Sequence, residues 1–373
     1  MKFATPTIIT NRHLLYAGVI GASVIGAALL FLPSPYNLAP FGLLVAGFFV
    51  IMTFKYPMFG VYFYMLVYFF KPQELFPSPI PYERIIALLV LAAMVIHIAV
   101  NEKKFNIYQM DKAFIAFLAA CFLSIPLAGH ITLGWEVFFE FFKVFLVYLF
   151  MTRIANTPRR FKAIVWLYML SLAFVAGTAF YNYYSGNFSV RMGIQRAHGM
   201  EHGAYTDPNS VANSLVLGIP FLYYMISHYR RTVVRASLAA IFVLCLWTII
   251  ITGSRGGMLG ALVLAVVLAF NSRHKALASV GAVVALLVVA VIMPQQYKDR
   301  FLSITDFTGD SSAAVSAYGR IEGLLLGIQF FTEMPITGAG IGNFPWKNLY
   351  HGSGKWLDAH NLPGKLIGEL GLL

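Results

Sequence analysis

The residues best suited to chemistry lie in three stretches. The first is "TGSRGG", Thr252 to Gly257, which sets one arginine among glycines and a serine where an apolar run begins. Glycines leave backbone amides open, a helix start turns N–H groups and a positive dipole outward, and a guanidinium can grip a phosphate with two parallel hydrogen bonds. Ser254 and Arg255 therefore read as parts of an anion site. The structural alternative is an arginine snorkelling from a helix end, but such an anchor needs no pair of glycines beyond it.

The second stretch, "SVRMGIQRAHGMEHGAYTDPNSVAN", brings Arg191, Arg196, two histidines, Glu201 and Asp207 into a glycine-rich setting. Its "DPN" is a turn and helix-start signal, so Asp207 and Asn209 read equally well as cap residues or as site residues. The third runs from "GRIEGLLLGIQFFTEMPITGAGIGNF" to "WLDAHNLPGKLIGELGLL" and holds Arg320, His360 and Asn361. Imidazole takes up a proton near neutral pH, which makes His360 a candidate general base, although a lone histidine is also a common structural residue. The GxGxG pattern of "GAGIGNF" is no dinucleotide fingerprint, because no strand precedes it. No HExxH, CxxC, DxD, Walker or GxSxG element occurs, so a metal site, an NTPase and a serine hydrolase lack support, and no cofactor is expected.

The elements that must position these residues are membrane spans. Of 373 residues 59% are hydrophobic and 11% charged, and the mean hydropathy is +0.73, outside the balance of a soluble domain. Apolar runs of roughly 17 to 20 residues recur, each about long enough to cross a ~30 Å hydrocarbon core as a helix. They fall at 14–32, 38–54, 56–70, 85–100, 113–128, 133–150, 161–180, 211–226, 233–251, 256–270 and 276–293, with a last one opening near 361. The expected fold is thus all-α: one polytopic helix bundle over 1–373, about 12 spans with the last cut short, and a long extracytoplasmic loop carrying short helices. The exit of the first span, "LPSPYNLAP", lacks a small-x-small cleavage site, so an uncleaved first helix is expected. Cys121 and Cys245 fall within apolar runs and read as buried thiols.

Charge supplies the topology. With the N-terminus in the cytoplasm and sides alternating, the inner segments hold fifteen basic residues against two acids, Glu102 and Asp111, whereas the outer segments hold ten of each. That bias follows the positive-inside rule. The +12 net charge is then a topology signal, and no nucleic-acid partner is expected. All three chemical stretches land outside, in a first functional loop at 181–210, at the Thr252 turn, and in a large loop at 294–360. Within the last, Arg320 to Phe331 has helical apolar spacing and is expected to lie along the membrane surface. Inside the spans, Glu136, Glu140 and Lys143 can share one helix face and pair, as can Lys365 and Glu369. Such intramembrane ions keep a transporter or lipid flippase open as a distant alternative.

In order, "RAHG" with "TDPN", then "TGSRGG", then "GR" with "MPITGAGIGNF", then "AHN" with Gly371, resembles the O-antigen ligase and polymerase superfamily over about residues 190–373. The spacing from His360 to Gly371 resembles the ligase branch. The chain ends two residues after Gly371, so by this resemblance it is a truncated sequence. The resemblance implies a glycosyltransferase of the bacterial inner membrane, independent of metal and nucleotide sugar. It takes glycan from undecaprenyl diphosphate on the periplasmic side and passes it to lipid A core, or, in sister branches, to a growing glycan or a protein. His360 would deprotonate the acceptor, and Arg255, with Arg320 and Arg196 or Arg191, would hold the diphosphate. Asn209, Ser254 and Asn361 would complete the substrate contacts, among membrane lipids.

Overall fold

Apolar runs punctuated by proline, glycine and basic residues fold here into helices that bury one stripe and leave the rest greasy, the pattern of a chain whose solvent is lipid. The computed structural model describes residues 39–72, 81–100, 107–155, 157–191, 193–200, 203–272, 275–302 and 312–373. The expected span at 14–32 lies outside them, as do Glu201 and the basic residues of the N-terminus. In chain order the helices are α1 (Ala39–Lys55), α2 (Pro57–Phe70), α3 (Tyr82–Val100), α4 (Gln109–Ser124), α5 (Ile131–Arg153), α6 (Pro158–Tyr184), α7 (Pro208–His228), α8 (Thr232–Ile251), α9 (Arg255–Asn271) and α10 (Lys275–Ile292). After them come α11 (Gln295–Leu302), α12 (Ser312–Glu333), α13 (Phe344–His351) and α14 (Leu362–Leu370).

Among the described residues five helical segments are long and apolar enough to cross a membrane: Tyr82–Val100, Gln109–Leu127, Pro158–Tyr184, Pro208–His228 and Thr232–Ile251. Three shorter apolar helices accompany them, Leu44–Lys55, Pro57–Phe70 and Arg255–Asn271. The protein is therefore an all-α, multi-pass membrane protein.

Among the described residues, two of the hydrophobic clusters hold most of the bundle. In one, Met169, Leu172, Val175 and Ala176 of α6 meet Val211, Leu215 and Ile219 of α7, with Leu238 and Cys245 of α8 and Met258 of α9 closing around them. Gly218 permits this approach, because a Cβ there would lie 2.0 Å from a methyl of Leu172. In the other, Val61, Tyr64 and Met65 of α2 pack with Ala87, Val90 and Met94 of α3 and with Leu146, Leu149 and Phe150 of α5. Both cysteines are buried and free.

The helix ends sort into two sets. At one end Asp111 pairs with Arg153, and the Trp166 indole donates to the Tyr229 hydroxyl at 2.7 Å. At the other, the His130 amide donates to Asn343 at 2.8 Å, the Lys71 ammonium sits 5.1 Å above the Tyr205 ring, and the Tyr297 and Tyr183 hydroxyls bond at 2.9 Å. Every chemical stretch belongs to this second end.

Three expectations need correction. The region 294–360 holds more than short helices: α12 has 22 residues and packs lengthwise on α14 through glycines. A Cβ on Gly323 would lie 2.0 Å from the Ala359 carbonyl oxygen and one on Gly327 2.2 Å from that of Gly364, so two backbones touch, as small residues allow between membrane helices. The polar groups of α5 do not pair within that helix alone. Lys143 meets Glu140 at 2.8 Å and Glu83 of α3 at 3.4 Å, while Glu136 is exposed. Lys365 forms its ion pair with Asp358, and Glu369 is buried, accepting the Phe344 amide at 3.2 Å. Periodicity sees partners one turn away; it cannot see those on another element.

Candidate functional site

The "TGSRGG" turn closes α8 and opens α9. Gly253 takes φ +58°, a left-handed conformation that suits glycine, and Ser254 caps α9 by accepting the Gly257 amide at 3.2 Å. The second glycine of the pair answers to packing, since a Cβ on Gly257 would stand 2.6 Å from that of Ala212. The first has open space around it, so a ligand can approach the helix start there. The helix start leaves Arg255 half-buried at the lip of the bundle.

The first outer loop folds into a hairpin, β1 (Ser189–Arg191) and β2 (Ile194–Arg196), antiparallel with Val190 opposite Gln195. Apolar periodicity gave no sign of it. The hairpin docks on the turn: the Ala197 amide donates to the Ile251 carbonyl at 2.9 Å, and Arg196 Nε to that of Thr252 at 2.8 Å. Arg196 Nη2 also donates to Asn209 at 2.9 Å, next to the Asp207 cap of α7. Beneath, the fully buried Tyr297 of α11 bonds the Gln195 carbonyl at 2.8 Å. Arg196 is thus a buried tie between two loops, whereas Arg191, on the partner strand, is exposed. Thr252 and Tyr297 escape sequence reasoning because one acts through its carbonyl and the other through a tertiary contact.

The arginines converge. Burial lowers the pKa of Arg196 from its ordinary value, and the charges of Arg191 and Arg255 push in the same direction, against Asp207. The charges of Arg320 and Arg191 in turn bear on Arg255. Arg191 and Arg196 of the hairpin thus lie near Arg255 at the start of α9, and Arg320 of α12 bears on Arg255 from another element, an arrangement of positive charge that favours an anion with several oxygens.

His360 lies just before Asn361, the N-cap of α14. Asn361 caps that helix, accepting the Gly364 amide at 2.6 Å, and its own amide donates to the carbonyls of Arg320 at 2.8 Å and Ala359 at 3.0 Å. One asparagine therefore fastens the histidine's bend to the residue that carries the fourth guanidinium. His360 itself is exposed and holds φ +54°, where a residue with a Cβ is strained by roughly 1–2 kcal/mol. The glycine-rich turn 338–342 belongs to the scaffold. Its glycines sit at φ +59°, +89° and +74°, and the Ala339 and Gly340 amides bond α14 carbonyls at 2.8 and 2.9 Å. Of the candidate residues, Arg196, Asn209, Ser254 and Asn361 are engaged in these ties, while Arg191, Arg320 and His360 are exposed and Arg255 is half-buried.

A multi-pass helical membrane protein with arginines gathered at one end is the class defined by this architecture. Residues 240–373 match the family model of O-antigen ligase, which supports the O-antigen ligase superfamily of membrane glycosyltransferases for the segment holding Arg255, Arg320 and His360. No curated protein and no solved structure matches the chain.

Proposed function

We propose that this protein is an O-antigen ligase-type glycosyltransferase of the bacterial inner membrane, with its N-terminus cytoplasmic, about twelve spans, and its site facing the periplasm. It transfers glycan from undecaprenyl diphosphate to lipid A core. The observation that supports this reading is the docking of Arg196 on the turn that opens α9 at Arg255, with the charges of Arg191 and Arg320 bearing on Arg255 and with Asn361, next to His360, bonded to the Arg320 carbonyl.

The step is a displacement at the anomeric carbon. The acceptor hydroxyl oxygen attacks that carbon and forms the new glycosidic bond, the bond to the diphosphate oxygen breaks, and the configuration inverts. His360 takes the hydroxyl proton. Arg255, Arg320 and Arg191 stabilise the charge gathering on the departing diphosphate, and the α9 amide end adds to them. Arg196 holds the loop that presents Arg191. Several guanidiniums can supply this positive charge without a divalent ion.

The test is a glycolipid profile of cells producing the Arg255→Ala or His360→Ala variant at normal level. Bare core with glycan accumulating on the carrier supports ligation; core bearing one repeat points to a polymerase instead. Normal profiles in both variants refute the mechanism.

A further inference from the structure

His360 is exposed, yet it holds φ +54°. A residue with a Cβ stays in that region only where its surroundings over-determine it, so the neighbours of His360 must supply the constraint. On one side Ala359 is fully buried in a cluster with Phe330 and Phe344. On the other, Asn361 bonds the Arg320 and Ala359 carbonyls and the Gly364 amide. Those contacts also pack α12 and cap α14, and the fold would need them whatever residue 360 did.

Asp358 has no such duty. It precedes the bend in irregular chain, and the cap of α14 is Asn361. One of its carboxylate oxygens accepts the Ala359 amide at 2.8 Å, and the other accepts from the Lys365 ammonium on the first turn of α14. The strained residue lies between the two ends of this ion pair. Helical spacing offers Lys365 another carboxylate, Glu369, one turn on. That group accepts the Phe344 amide instead, and Lys365 reaches back across the bend. A contact that closes so short a loop leaves its backbone few alternative conformations.

The pair acts locally. Its side chains are 32% exposed at Lys365 and 36% at Asp358, and an ion pair so open to water adds little to the folding free energy. Cutting it therefore leaves the bundle folded while the bend loses one of its two polar straps.

We infer that Asp358 and Lys365 are positioning residues for transfer, their ion pair holding the 358–361 bend in the conformation that presents His360 to the acceptor hydroxyl. The inference rests on the glycan-transfer reading above, in which His360 is the base. Neither residue touches the reacting atoms; each acts through the backbone on either side of the histidine. With the pair cut, the bend relaxes toward negative φ and the imidazole drifts from hydrogen-bond reach of the hydroxyl. Asn361 keeps the second strap, so the loss is partial.

The test uses the full chain in proteoliposomes, with undecaprenyl diphosphate-linked glycan as donor and lipid A core as acceptor. Asp358→Asn, Lys365→Met and the double variant are compared with wild type. Each single variant should speed hydrogen exchange of the amides between Ala359 and Gly364 by about fivefold. Each should also lower kcat about tenfold, with both KM values and the Tm unchanged. The double variant should lose no more than the worse single, because both act through one contact. Lys365→Arg, which keeps the charge, should recover most of the turnover. Salt screens a half-exposed pair, so kcat at saturating substrate should fall more steeply with ionic strength in wild type than in Asp358→Asn. Additive losses in the double variant, unchanged exchange, or a fall in kcat matched by a fall in Tm overturns the inference. Absence of transfer by the wild type refutes the catalytic reading, and the positioning role with it. Transfer that keeps the wild-type kcat after the pair is cut refutes the positioning role alone.

Discussion

Replacing Gly323 by alanine puts the proposed mechanism under stress without touching a charged group. The added Cβ would lie 2.0 Å from the Ala359 carbonyl oxygen, where Cβ atoms essentially never come within 3.0 Å, and the neighbour is backbone, which cannot swing aside. α12 and the 359–361 bend must therefore part by about 1 Å. The Asn361 amide bond to the Arg320 carbonyl, 2.8 Å long, lengthens beyond a useful hydrogen bond. Overpacking of this kind costs about 1–3 kcal/mol, and the lost bond a further ~1 kcal/mol. Because His360 is strapped to α12 by that bond, it moves with the bend, and a misplacement near 1 Å costs on the order of 100-fold in rate. The assay is turnover of a lipid-linked donor by purified protein in proteoliposomes, with a thermal melt in parallel. Gly319→Ala is the control, since nothing lies within 4 Å of its Cβ position, and it should behave as wild type. A folded Gly323→Ala protein with wild-type turnover would refute the claim that this packing positions His360.

Four more outcomes follow from the same geometry. Arg196→Ala should lower stability by about 2–4 kcal/mol, since it deletes buried charge-assisted bonds to Thr252 and Asn209. Arg191→Ala, on an exposed strand, should keep its Tm and weaken donor binding; a melt and a donor titration of each variant separate the two. His360→Gly relieves the φ +54° strain and should raise stability by up to about 1 kcal/mol while transfer is lost, so a thermal melt that falls instead would contradict the strain argument. Hydrogen bonds from Lys347 and Gln329 hold the Glu333 carboxyl below its usual range. The stability it contributes is complete above the unfolded-state value of about 4.3 and disappears as the pH falls through the lower folded-state value. Melts at descending pH should show a shallower acid limb in Glu333→Gln than in wild type.

Much of this protein was legible from its residues alone. Apolar run length gives the span helices their places within a few residues, because a lipid-spanning segment has no other way to satisfy its backbone. Proline and short polar caps announce their starts, as Asp207, Ser254 and Asn361 show in three helices. The residue types of the arginine cluster were also visible, since arginine among glycines on the less basic side is unusual. Which arginine does what was not. Arg191 and Arg196 differ by five positions in sequence, yet strand pairing turns one outward and buries the other against a carbonyl 56 residues away. The Glu83 partner of Lys143, the glycine contact of α12 with α14 and the strained bend at His360 belong to the same category. Local chemistry and hydropathy are properties of neighbours along the chain, and they determine the elements. Burial, partner choice and the meeting of four charges depend on distances between segments far apart in sequence, and those only the packing of the helices decided.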